Sequence, residues 1–230
     1  MRSLLLVLSL ALLTVPASGH ASCLGSSGDE LVLVGTGPRG GVVLLVRRAA
    51  YGGSAPLTGA TPTRLELRRD ACSAACDVSA PLAALATNLY ALRLPSGLPT
   101  GRWQVRTAAA ASVSFEVGAA SASGPAISAR PRVGAPSQVS LGSVPDPVPE
   151  IVLADPAPAG ALGLLARWQG SSFFMPVRAG DRTRFVLSPG RCRAPLPGFT
   201  RPTAGSAIEL AFVDSEGRSS PTSAMTYTPR

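Results

Sequence analysis

This chain of 230 residues has no lysine and one histidine, His20, and aromatic residues make up only 5% of it. A serine or cysteine nucleophile needs a base to take its proton. The chain has no lysine, and His20 lies in the segment that is predicted below to be a cleaved signal peptide. Ser-His, Cys-His and Ser-Lys arrangements are therefore excluded. The thirteen acidic residues lie mostly singly near turns, which is typical of solvated positions rather than of a glycosidase carboxylate pair. The sequence therefore predicts that the protein is not an enzyme and holds no cofactor.

The only long apolar stretch of the sequence lies at its start. After a basic residue, the run Leu4–Leu13 is almost entirely aliphatic, and small residues follow, including Gly19 and Ala21. This order is typical of a secretory signal peptide, and the run is too short for a bilayer, which needs about twenty apolar residues. We predict a signal peptide over residues 1–21, no membrane span, and a secreted or periplasmic, cell-envelope location.

The formal net charge of +8 comes entirely from arginine. A basic protein of this kind could bind nucleic acid or an acidic polysaccharide. The arginines are scattered, however, and only Arg47-Arg48 and Arg68-Arg69 are adjacent pairs. Abundant Ala, Gly, Pro and Arg indicate the codon bias of a GC-rich genome. We therefore interpret the arginines as a solvated face and predict no nucleic-acid partner.

Four cysteines, Cys23, Cys72, Cys76 and Cys192, follow the predicted cleavage site. An even number in an exported protein indicates two disulfides, whereas a zinc site would need two close pairs or further histidines. A Cys72–Cys76 bridge closes a short loop at low entropic cost. By elimination Cys23 then pairs with Cys192, and this second bridge would hold the two predicted β-sandwiches in a fixed relation. The alternative links Cys23 to Cys72 or Cys76 and leaves Cys192 free.

Short apolar or alternating segments fill the first half of the chain. They are Leu31–Val34, Val42–Val46, Arg64–Arg68, Arg102–Arg106 and Ser112–Val117. Period-two alternation predicts strands with one buried face, on which Val113, Phe115 and Val117 point inward. Gly35-x-Gly37-x-x-Gly40 imitates a dinucleotide-binding loop, but a strand follows it instead of a helix, so we predict a hairpin. The Ala/Leu stretch 81–86 is predicted to form one helical turn.

A second series of strands follows an aperiodic stretch of small residues. Its predicted members are Gln138–Leu141, Glu150–Leu153, Leu162–Trp168, Phe173–Val177, Thr183–Leu187, Ile208–Val213 and Ala224–Thr228. Short strands separated by Gly and Pro point to sandwiches or barrels. We predict a first β-sandwich at 22–118, a linker at 119–126 and a second β-sandwich at 127–230.

Both halves end in a similar way. Leu94–Val105 with Ser114–Val117, and Ile208–Ser223 with its Asp-x-x-Gly turn, resemble the closing strands of bacterial Ig-like and fibronectin type III-like modules. The resemblance covers about a quarter of the mature chain. It implies an all-β fold of two such sandwiches in tandem, acting by binding or spacing.

These patterns leave few ligand-contact candidates. Trp103 and Trp168 share their strand faces with apolar residues and are predicted to lie in cores. Phe173 and Phe174 are adjacent and point to opposite faces, so one could be exposed and contact a sugar. An N-terminal His20 would resemble the start of small copper-carrier sandwiches, but the chain has no second histidine.

From these observations we predict an exported, non-enzymatic binding, adhesion or spacer module of the bacterial envelope or exterior. Its partner would be an unidentified protein or polysaccharide of the cell envelope. The alternative is a soluble periplasmic protein that binds glycan or copper.

Intact-mass measurement of the exported protein tests the processing. The mature chain is expected to begin at Ser22 because Gly19 and Ala21 are small where signal peptidase requires small residues. Reduction should add four hydrogen atoms if the four cysteines form two disulfides. A retained leader or a diacylglycerol on Cys23 would contradict the signal-peptide prediction.

Overall fold

The computed structural model describes residues 29–37, 41–49, 63–70, 77–106, 112–118, 124–134, 137–139, 148–188 and 198–228. Within these ranges the chain forms fourteen strands in three antiparallel sheets, without a helix. The predicted all-β class is confirmed. The predicted signal segment, His20 and all four cysteines lie outside the described residues.

Residues 29–117 supply one seven-stranded sheet, here called the N-terminal sheet, in the order β1-β2-β5-β4-β3-β6-β7. Its strands are β1 (Asp29–Thr36), β2 (Val42–Ala49), β3 (Arg64–Arg69), β4 (Val78–Ala84), β5 (Leu89–Arg93), β6 (Gly101–Arg106) and β7 (Ser112–Val117). The sheet curves so that β1 lies against β7, and its inner face encloses an apolar cluster. The sequence predicts a β-sandwich here, that is, two sheets packed face to face. The described strands instead form one continuously hydrogen-bonded sheet.

The inner cluster follows the alternation seen in the sequence. Phe115 and Val117 are buried in it and Val113 packs against it, as predicted. Trp103 is 2% exposed, and its indole N–H donates to the carbonyl of Pro99 at 3.0 Å. A buried indole needs such a partner, so this tryptophan is a satisfied core residue.

Residues 137–226 supply the other two sheets. The four-stranded sheet has the order β11-β10-β13-β14 and the three-stranded sheet the order β12-β9-β8. Their strands are β8 (Ser137–Val139), β9 (Val148–Val152), β10 (Ala161–Trp168), β11 (Ser171–Pro176), β12 (Arg184–Val186), β13 (Ala207–Asp214) and β14 (Ser223–Thr226). One large apolar cluster combines inward side chains of both sheets, including Ile151, Trp168 and Phe212, so the two sheets form a sandwich.

The helical turn predicted at 81–86 is wrong. Residues up to Ala84 belong to β4, which pairs with both β3 and β5, and the chain then turns into β5. Ala and Leu favour helices only weakly, and pairing on both edges outweighs that preference. Strand β5 was missed because Leu89, Tyr90, Ala91 and Leu92 are all buried, which removes the alternation.

The predicted glycine-rich hairpin is confirmed where it is described. Strands β1 and β2 are antiparallel neighbours, and the Gly37 amide donates to the carbonyl of Val42 at 2.9 Å. The linker predicted at 119–126 is described only from residue 124, where the chain forms no strand. The boundaries at 118 and 127 stay a prediction.

The β10–β11 hairpin turns through Gln169 and Gly170, whose φ angles are 43° and 77°. Two successive positive φ values in a two-residue loop are typical of a type I′ turn, which prefers Asn-Gly. A side chain with a Cβ in this region costs free energy, and glutamine lacks the short polar side chain that relieves it.

Gln169→Asn should therefore raise the free energy of unfolding, by up to about 1 kcal/mol. Chemical denaturation followed by tryptophan fluorescence measures the change. Gln169→Ala is the control because it keeps the strained backbone and should bring no gain. A Gln169→Asn variant no more stable than the parent would contradict the turn assignment.

Candidate functional site

The most distinctive site is the contact between the N-terminal sheet and the four-stranded sheet, here called the junction. A third buried apolar cluster fills it. The N-terminal sheet contributes Leu44, Val46, Ala86, Leu89 and Ala91, and the four-stranded sheet contributes Leu165, Phe174 and Val213. Strands β2 and β5 are consequently buried on both faces, which explains their nearly continuous apolar sequences.

Phe174 lies at the centre of the junction and is fully buried. Its ring packs over Gly163 of the neighbouring strand: a Cβ at that glycine would come within 2.4 Å of the ring and of the Met175 carbonyl. A second close approach joins Gly35 of β1 to Leu162, where a Cβ would meet the leucine at 2.5 Å. Gly163 thus leaves room for the Phe174 ring within the four-stranded sheet, whereas Gly35 lets the N-terminal sheet approach Leu162 closely.

Asn88 is the polar residue of the junction and is only 2% exposed. Its side-chain Nδ2 donates to the Phe174 carbonyl at 2.8 Å, and its Oδ1 accepts from the Phe174 amide at 2.7 Å. The adjacent Thr87 amide donates to the Ser172 carbonyl at 3.1 Å. The turn between β4 and β5 therefore pairs with β11 much as a short strand would.

An open groove of about 600 Å³ lies beside the junction. It is lined by the end of β1 at Thr36, by the segment 124–129, by Pro158 and Gly160, and by the turn 214–218. Ligand sites often lie where separate units of a protein meet. This groove is the candidate binding surface among the described residues.

The charged wall of this groove is built on the Asp-x-x-Gly turn after β13. Asp214 Oδ1 accepts from the amides of Glu216 and Arg218, both at 2.9 Å, and the Gly217 amide donates to the Asp214 carbonyl at 3.0 Å. The side chain of Asp214 is 6% exposed. A buried carboxylate is tolerated here because its oxygens accept several hydrogen bonds.

Arg218 links this turn to the segment 124–129. Its Nε lies 2.7 Å from Asp214 Oδ2, its Nη1 lies 3.4 Å from Glu216 Oε2, and its Nη2 donates to the Gly124 carbonyl at 3.0 Å. The hydrogen bond to Asp214 raises the pKa of Arg218 above its ordinary value, and the negative charges of Asp214 and Glu216 add to this. The guanidinium therefore stays charged and fixes one wall of the groove.

Arg182 holds the loop that forms the opposite wall. Its guanidinium donates to the carbonyls of Ala157 at 2.8 Å, Ala161 at 3.2 Å and Pro158. The neighbouring Asp181 carboxylate accepts from the amide and hydroxyl of Thr183, and these bonds lower the pKa of Asp181 below its ordinary value. The hydrogen bonds of both residues stabilise local loops.

The predicted sugar-contact residues, Phe173 and Phe174, do point to opposite faces of β11. Phe173 lies in the sandwich core and Phe174 in the junction, with exposures of 4% and 0%. The expectation that one ring is exposed is wrong, because the N-terminal sheet covers the outer face. Ligand contact by either ring stays a prediction for which the structure offers no surface.

The tryptophans behave as core residues, as predicted. Trp168 is 3% exposed, donates its indole N–H to the Thr200 carbonyl at 2.9 Å, and meets Phe199 edge to face at 5.8 Å. The disulfide candidates Cys23, Cys72, Cys76 and Cys192 lie outside the described residues, so their pairing stays a prediction.

Sequence reasoning noticed the Asp-x-x-Gly turn but missed the role of Asn88 in the junction and that of Arg218 in the groove wall. The only available signal was indirect: Asn88 is the single asparagine of the chain and lies between two apolar segments. Across the described ranges, no three His, Cys, Asp or Glu side chains gather as metal ligands would. The same residues include no helix long and apolar enough to cross a membrane.

Comparison with known proteins places this chain in no family. No family model matches the chain, and no curated protein matches it. Among solved structures, the chain is similar to the fibronectin type III domains FN1–FN3 of chicken contactin CNTN1, at 9% identity and a TM-score of 0.27. That match covers 88% of this chain and 69% of the contactin chain.

Asp214→Ala should destabilise the protein by about 1–3 kcal/mol, because it leaves two partly buried backbone amides of the turn and the Arg218 guanidinium without their acceptor. Asp155→Ala is the matched control: Asp155 pairs with Arg132 at 3.2 Å, but both side chains are more than half exposed. Such surface pairs contribute about 0–1 kcal/mol. Thermal unfolding of both variants separates the two cases, and equal losses would contradict the role given to Asp214.

Proposed function

We propose that this chain is an exported, non-enzymatic module that acts as a rigid spacer or binding unit at the bacterial envelope or outside the cell. The observation that carries the spacer role is the junction. Two separate apolar cores, one inside the N-terminal sheet and one inside the sandwich, are joined by a third buried cluster. A spacer needs such a contact because a flexible link would let its ends move independently.

The strength of the junction follows from its burial. Complete burial of a phenylalanine side chain contributes about 1.5–3 kcal/mol, and Phe174 is accompanied by seven other buried apolar residues. The paired bonds of Asn88 add direction, because an amide held between one N–H and one C=O permits a single orientation. Together these contacts favour one relative arrangement of the two parts.

The groove beside the junction is the surface on which a binding role would depend. Its walls are held by Arg218 and by the loop around Pro158. Its lining consists mostly of small residues, with the apolar Ile127 and the charged residues Asp214, Glu216 and Arg218. That composition suits a peptide or polysaccharide segment of the envelope better than a small apolar ligand. The proposed partner is therefore an extended polymer, in agreement with the sequence-based prediction.

Pulsed electron paramagnetic resonance, which measures the distance between two spin labels, tests the spacer role on the full mature chain. Spin labels introduced as unnatural amino acids at the exposed positions Ser96 and Thr222 leave all four cysteines untouched. We expect one narrow distance distribution. Phe174→Ala should broaden it, because this truncation costs about 3–5 kcal/mol at the junction itself.

Phe173→Ala is the matched control, since the adjacent ring is almost equally buried but lies in the sandwich core. It should lower the melting temperature while leaving the distance distribution narrow. A broad distribution in the parent chain, or equal broadening by both variants, would overturn the spacer role. Export is tested separately by the intact mass of the secreted chain.

A further inference from the structure

Strand β11 is an edge of the four-stranded sheet, because its only strand neighbour there is β10. An edge strand presents unpaired amides and carbonyls, which form a template for pairing with another chain. In an antiparallel ladder the amide and carbonyl of one residue point the same way. The bonds to Thr87 and Asn88 therefore show that Ser172 and Phe174 direct their peptide groups outward.

This outward edge is occupied almost completely. The Ser172 carbonyl and both peptide groups of Phe174 accept or donate bonds across the junction, and Pro176, at the end of the strand, has no amide hydrogen. Asn88 alone supplies two of these three bonds. Its own carbonyl accepts from the Arg47 amide at 2.8 Å, so its backbone belongs to the N-terminal sheet while its side chain completes the other sheet.

We propose that Asn88 closes the edge of β11 against strand addition, and that loss of its amide lets β11 pair edge to edge with β11 of a second copy of this chain. Alanine at this position leaves the Phe174 N–H and C=O unpaired in an apolar setting, next to Leu165 and Val213. A buried peptide group without a partner is costly, so opening of the junction requires less free energy in this variant than in the parent.

A second copy is the occupant that the edge itself specifies. Two identical edges related by a twofold axis lie antiparallel, so each outward group of one copy meets its counterpart on the other and every bond forms twice. The two Phe174 side chains, one from each edge strand, then lie side by side on the same face of the joined sheet. This inference depends on the junction alone and not on export or on the proposed spacer role.

Light scattering coupled to gel filtration, over a range of concentrations of the full mature chain, tests the proposal. We expect the mean mass of Asn88→Ala to rise toward twice that of the parent as concentration increases, while the parent mass stays constant. Hydrogen exchange at low concentration should show faster exchange of the peptide containing Ser172 and Phe174. Ser220→Ala is the matched control: its buried hydroxyl accepts from the Phe212 amide at 2.9 Å, within the sandwich.

A double variant distinguishes edge pairing from general loss of stability. Ser172→Pro removes an outward amide hydrogen without breaking the ladder to β10, so added to Asn88→Ala it should restore the parent mass. If that double variant is unfolded by circular dichroism, Ser172→Lys, which places a charge on the edge, replaces it. An Asn88→Ala protein that melts earlier but keeps the parent mass at every concentration would overturn the proposal, as would equal self-association of Ser220→Ala.

Discussion

The packing of Phe174 over Gly163 is the contact on which the arrangement of this protein depends. The glycine lets an aromatic ring pack over its own sheet, at a distance that any Cβ would prevent. The ring belongs to the same buried apolar cluster as Leu44 and Leu89 of the other sheet. Since dispersion contacts fall off steeply with separation, one methyl group here would weaken the whole junction.

Polar contacts at the junction fix the relative orientation of the two sheets, whereas apolar burial supplies most of the free energy of the contact. Asn88 satisfies both peptide groups of Phe174, so an edge strand is covered without a further strand. The adjacent Thr87 amide adds a third hydrogen bond across the junction, to the Ser172 carbonyl. Hydrophobic contact alone is non-directional, so these few hydrogen bonds decide which of several apolar contacts is adopted.

The arginine excess is interleaved with carboxylates where the structure describes it. On the outer face of the N-terminal sheet, Arg102 lies opposite Glu116 and 3.3 Å from Asp70, and Glu66 lies opposite Arg106 in the strand register. This half of the face carries alternating charge, while the half formed by β2 and β5 is covered by the four-stranded sheet. The same curved sheet thus has one solvated and one docked region.

Local pattern predicted most strands because alternation survives wherever only one face is buried. Strand β7 was predicted with its observed bounds, from the inward positions Val113, Phe115 and Val117. Strand β5 was not predicted because it is buried on both faces, which removes the alternation of apolar and polar residues. Residues 81–86 were predicted as a helical turn, but β4 pairs with a strand on each edge. Local pattern also missed Asn88, whose partner Phe174 is 86 residues away.

The sequence by itself determined the all-β class, the hairpin after β1, the core placement of both tryptophans, and the opposite orientation of Phe173 and Phe174. Each of these follows from residue types and a period of two, which are local properties of the backbone. Only the tertiary structure decided that the outer ring is covered and that one asparagine pairs with β11. Those facts depend on which distant segments meet, and the free energy of that contact is shared among residues that no local pattern connects.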